Sequence, residues 1–103
     1  MALSPELQES LRERLTWLRD VSGTKMRTLD RFAGRRDNHF STILTRLEER
    51  QATDIEVGTL EAYARVLGVR FGWLLDGDGE PPAEETVRAA VEAARAAQAE
   101  AAA

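Results

Sequence analysis

Cysteine is absent from the 103 residues, which excludes a disulfide framework, thiol catalysis and cysteine-based zinc sites together. Histidine occurs once, at His39; without a second imidazole or a thiol it makes a poor metal ligand, and a surface or groove-facing role is expected. No apolar run approaches the ~20 residues that span a bilayer. The opening Met-Ala-Leu-Ser-Pro-Glu-Leu-Gln-Glu-Ser has no basic start leading into an apolar stretch, so no signal peptide is expected. The expected location is cytoplasmic, at the nucleoid. Catalytic groupings are missing too. Glu48-Glu49 has no nucleophile or partner base and reads as a solvated helix end. Asp76-Gly77-Asp78-Gly79-Glu80 lacks the twelve-residue ligand spacing of a calcium loop and reads as a turn. No enzyme activity, cofactor or metal is expected.

What is present is an ordinary soluble composition. With 43% apolar and 31% charged residues, global disorder is not indicated, and the length allows one small compact domain. The net charge of −4 looks wrong for a nucleic-acid binder until its distribution is read. Residues 1–24 hold three arginines against four acids, and residues 51–80 hold two basic residues against six acids. Residues 81–103 hold two against four. Residues 25–50 hold seven basic residues against four acids and form the only positive segment.

The apolar spacing is helical throughout. Ser4-Pro5 offers a serine cap and a first-turn proline, followed by a stripe of Leu7, Leu11, Leu15, Leu18 and Val21 with Trp17 at its edge. Ser22-Gly23 ends that helix and Thr24 is expected to cap the next. Met26, Leu29, Phe32 and Ala33 give the second helix its face, and Gly34 a turn at positive φ. Asp37 is expected to cap a third helix at about 37–50, whose buried stripe is Phe40, Ile43, Leu44 and Leu47. Residues 51–54 read as a loop. Ile55, Val57, Leu60, Ala64 and Leu67, with Tyr63 beside them, make a fourth face that stops at Gly68-Val69. Phe71, Trp73, Leu74 and Leu75 make a short fifth helix that caps the bottom of the core.

Pro81-Pro82 marks a boundary between a domain at 1–80 and an Ala-rich helix at 81–103. Val87, Ala90, Val91, Ala94 and Ala97 share one narrow face of that helix. Three readings stay open: a solvated helix fraying after Glu100, a helix lying on its own domain, or a dimerisation helix with Val87, Val91 and Ala94 at its seam. The fold class is therefore all-α, five compact helices plus a C-terminal one.

Leu29-Asp30-Arg31-Phe32-Ala33-Gly34 and Phe40-Ser41-Thr42-Ile43-Leu44 carry a family likeness. So do Thr59-Leu60-Glu61-Ala62-Tyr63-Ala64-Arg65-Val66-Leu67-Gly68-Val69 and Trp73-Leu74-Leu75-Asp76-Gly77-Asp78-Gly79-Glu80-Pro81. From about Leu11 to Pro82 the chain resembles the Cro/phage-repressor (XRE-type) helix-turn-helix family of bacterial and phage transcription regulators. The downstream block is the more specific part, since helix-glycine-helix alone occurs in many all-α proteins. The resemblance implies a third helix entering the major groove of double-stranded DNA, in a two-fold homodimer on half-sites ~34–36 Å apart. The chain departs from the family pattern at Arg35, where an apolar residue is usual, and at Arg36, where a serine or threonine cap is usual. Either the turn is displaced by one residue with Asp37 as cap, or the connection is more open. Met26 stands where the family often has a phosphate-facing glutamine.

The expected site follows from these positions. Asn38, His39, Thr42 and Arg46 are the candidates to read base edges, and Lys25, Arg27, Arg35, Arg36 and Ser41 to hold phosphates. Each has a plainer alternative: Arg35 and Arg36 as solvated loop arginines, Asn38 as an ordinary first-turn residue, Ser41 bonded within its own helix. The alternative function is a helix-turn-helix scaffold used for protein interaction, adaptor- or antitoxin-like, motivated by the acidic total charge and the missing glutamine. A third combines DNA binding with a tail that holds a protein partner.

Overall fold

The computed structural model describes residues 3–49 and 54–102. Helix α1 (Pro5–Ser22) begins where Leu7 N–H donates to Ser4 Oγ at 3.2 Å, with proline in the first turn. Its inner face is Leu11, Leu15 and Leu18, all buried, with Leu7 and Val21 partly covered at the ends. Trp17 stays 37% exposed and meets Trp73 edge to face, ring centroids 6.2 Å apart, a geometry favoured by the ring quadrupoles.

Among the described residues five further helices follow: α2 (Met26–Phe32), α3 (His39–Glu48), α4 (Val57–Leu67), α5 (Phe71–Asp76) and α6 (Glu84–Ala102). Helix α1 packs against α3, α5 and α6; α2 packs against α3, α4 and α6; α4 packs against α5 and α6. One buried cluster, from Leu3 to Val91, runs through all six. Arg14 ties α1 to the end of α5, its Nε and Nη2 each donating at 2.7 Å to the carbonyls of Leu74 and Leu75. These are last-turn carbonyls that the helix itself leaves without donors.

Two helix stops work as expected. At Gly34 (φ 70°) the N–H groups of Gly34 and Arg35 reach back to the carbonyls of Arg31 and Asp30; at Gly68 (φ 70°) those of Gly68 and Val69 reach back to Arg65 and Ala64. Both are the paired bonds of a Schellman stop. Gly68 has a second constraint. A Cβ there would lie 2.5 Å from the Ala90 Cβ, because α6 crosses directly over this turn.

Several expectations need correction. Thr24 does not cap α2; Lys25 occupies that position and makes no side-chain bond. Asp37 does not cap α3, which starts two residues later than expected and ends at Glu48. Arg50 and residues 51–53 of the expected loop lie outside the described residues. Ile55 is buried but precedes α4, and Val57, placed on the inner face by its spacing, is 38% exposed. It is the first residue of the helix.

The expected dimer seam is largely used within the chain. Val87 is 0% and Val91 1% exposed, in the same cluster as the leucines of α1 and α4. Both side chains are thus covered by the chain's own core rather than offered to a second copy. Ala94 is partly buried against that cluster. Of the three readings of this helix, the one lying on its own domain fits these burials.

Candidate nucleic-acid interface

Helices α2 and α3 pack on each other, and the backbone between them, residues 33–38, turns sharply. After the glycine stop, His39 N–H donates to the Arg36 carbonyl at 3.2 Å. Asn38 takes φ 72°, the one described non-glycine residue in the left-handed region, which asparagine tolerates better than most residues. That backbone duty accounts for an asparagine here without any base contact.

The start of α3 is held by a residue of α2. Asp30 is 0% exposed, and its Oδ1 accepts both the Phe40 N–H at 2.9 Å and the Tyr63 O–H at 2.6 Å. A carboxylate from the preceding helix thus supplies the capping acceptor that α3 lacks in its own sequence. The ring of Phe40 meets that of Tyr63 edge to face at 5.1 Å, and the His39 imidazole stacks on Tyr63 at 6.3 Å. Burial pushes the Tyr63 hydroxyl far above the ordinary tyrosine range; its bond to Asp30 and that residue's charge push the same way, and Arg35 opposes them. Asp30 was legible in principle, because it lies four residues after Met26 on the α2 stripe, where a polar residue is out of place.

The outward side of the pair carries most of the candidate reading residues. Asn38, Thr42 and Arg46 are exposed, as are Thr45 and Arg36; His39 and Ser41 are half-buried. On α2, Lys25, Arg27 and Arg31 are exposed. Asp37 stands between two of these cations, 3.8 Å from Arg27 Nε and 4.0 Å from Arg31 Nε. Arg35 is half-buried, with its Nε enclosed and lacking a hydrogen-bond partner, so Arg36 is the more accessible of the two. Arg27, Arg31 and Arg36 gather at the start of α3; Arg46 stands in its last turn, which the exposed acids Glu48 and Glu49 close, and Asp54 and Glu56 share a shallow pocket with His39 and Arg46. Arg31 and Thr45 belong to this surface as well.

Among the described residues, no group of acidic or histidine side chains is placed to hold a metal, and no helix is long and apolar enough to cross a membrane. Compared with known proteins, the chain matches no family model, no curated protein and no solved structure.

Proposed function

We propose that this chain is a sequence-specific double-stranded DNA-binding transcriptional regulator of the repressor helix-turn-helix type, reading the major groove with α3. The observation that carries the reading is an exposed, hydrogen-bonding and net-cationic ridge. Asn38, Thr42 and Arg46 project from α3 beside Arg36, Arg27 and Arg31, and no part of the described chain buries them. Hydrogen-bonding side chains on a helix of this kind discriminate base edges, and flanking cations fix the register on phosphates. Arg27, Arg31 and Arg36 lie at the start of α3, the end that such helices insert, and Arg46 lies in its last turn. A homodimer remains part of this proposal, through a surface other than Val87 and Val91.

A protein-interaction role is the second reading. It is favoured by the net charge of −4 and by exposed Glu48, Glu49, Glu56 and Glu61 around the far end of α3 and on α4. A gel shift with random-sequence duplex at low salt separates the two. A DNA reader retains non-specific affinity there, with Kd on the order of 10⁻⁶ M or tighter; no shift at tens of micromolar protein would exclude the first reading. Selection of bound oligonucleotides from a random pool then gives the operator.

A further inference from the structure

The α1–α2 turn, the first residues of α2 and α6 form a polar concavity. It is a shallow cleft of about 640 Å³ lined by Arg19, Asp20, Gly23, Thr24, Lys25, Thr28 and Arg95. Three cations and two hydroxyl groups face it, against one lining carboxylate. That carboxylate, Asp20, already accepts a 3.0 Å bond from Arg19 Nε.

The burial of α6 determines why Arg95 is there. Val87 and Val91 fix the helix azimuth by filling the core. Arg88 and Arg95, seven residues apart, then fall on one flank. Arg88 Nε donates to the Val21 carbonyl at 3.0 Å, and Arg95 Nη2 reaches Thr24 Oγ1 at 3.4 Å. Glu92 on the same helix lies 3.4 Å from Arg95 Nε, and the guanidinium sits 5.7 Å from the centroid of the Phe32 ring. The arginine is thus held over the cleft by a ring, a hydroxyl and a carboxylate, while its side chain keeps 50% exposure. Lys25 is two residues before Arg27, the cation that leans toward Asp37 and the start of α3. The cleft therefore includes the residue that opens α2, two positions before a cation of the proposed reading surface.

We propose that this cleft binds a backbone phosphate of the duplex, with Arg95 and Lys25 as its cations, so that α6 is a DNA-contacting element as well as part of the core. The inference rests on the DNA-binding reading and adds a contact which that reading does not require. A planar guanidinium presents two parallel donors to phosphate oxygens, and Thr24 and Thr28 add neutral donors.

The test is duplex affinity across ~50–200 mM salt, by fluorescence anisotropy, for the wild type, Arg95→Gln and Arg95→Lys. Arg95→Gln is expected to make the slope of log K against log salt shallower by about 0.9, the loss of one phosphate contact, and Arg95→Lys to restore it. Far-UV circular dichroism checks that each variant is folded. A wild-type slope in Arg95→Gln overturns the inference and leaves the DNA-binding reading standing. If the wild type binds no duplex, that reading falls, and titration with inorganic phosphate, followed by the amide resonances of Thr24, Lys25 and Thr28, decides the cleft by itself. Shifts that disappear in Arg95→Gln support a phosphate site of another source; an absence of shifts overturns it.

Discussion

Tyr63 on α4 donates its hydroxyl to the Asp30 carboxylate on α2 at 2.6 Å, and the same oxygen accepts the Phe40 amide that opens α3. Three helices thus meet at one buried acceptor. Asp30→Ala would leave a buried amide and a buried hydroxyl without partners, and should cost about 3–5 kcal/mol. Tyr63→Phe removes one donor and should cost about 1–2 kcal/mol. Urea denaturation of both single variants and the double variant gives their coupling; additive losses would show that the two side chains act independently.

The burial of Tyr63, and after it the bond to Asp30, makes stability pH-dependent at the alkaline end. The folded-state pKa of Tyr63 lies above the ordinary value of 10.0, so its contribution is complete below pH ~10 and is lost as pH rises above that range. Tyr63 is the only tyrosine. Its ionisation, read as tyrosinate absorbance, should therefore coincide with unfolding rather than precede it. Tyr63→Phe should remove this part of the alkaline loss.

Gly34 and Gly68 share φ 70° but differ in surroundings: a Cβ meets nothing within 4 Å at Gly34 and lies 2.5 Å from Ala90 Cβ at Gly68. Gly34→Ala should cost about 1–2 kcal/mol, the left-handed penalty alone. Gly68→Ala should cost about 1–3 kcal/mol more, since α6 must move away. Equal losses in thermal unfolding would contradict the close crossing of α6.

Val91→Ala, at 1% exposure, should destabilise the chain by roughly 1.5–3 kcal/mol. The loss should be independent of protein concentration. A dimer seam at this residue would instead make it vary with concentration, because association and folding would be linked.

On the proposed DNA surface, Arg36→Ala should weaken duplex binding and reduce the salt slope by about one unit. Asp37→Ala should act oppositely. Its carboxylate stands at 3.8 and 4.0 Å from Arg27 and Arg31, and removing it leaves both cations to phosphate. A gain of roughly two- to fivefold is expected at low salt, the scale of exposed ion pairs. Anisotropy titrations of the two variants check both; tighter binding by Arg36→Ala would contradict the assignment of that arginine.

The sequence by itself determined the helices and their inner faces, because a 3.6-residue period and local stop signals are properties of neighbouring residues. Ser4-Pro5, the leucine stripe of α1, Gly34 and Gly68-Val69 all act as read. Tertiary structure alone decided what depends on residues far apart in the chain. It buried Asp30 beneath Tyr63 as the acceptor for α3, left Asp37 among arginines instead of capping a helix, and spent Val87 and Val91 on the chain's own core. An apolar face shows that a helix must pack, yet its partner is set by how all six helices share one interior. For the same reason Arg95, unremarkable in an Ala-rich segment, acquires its place beside Thr24 only once α6 has folded back.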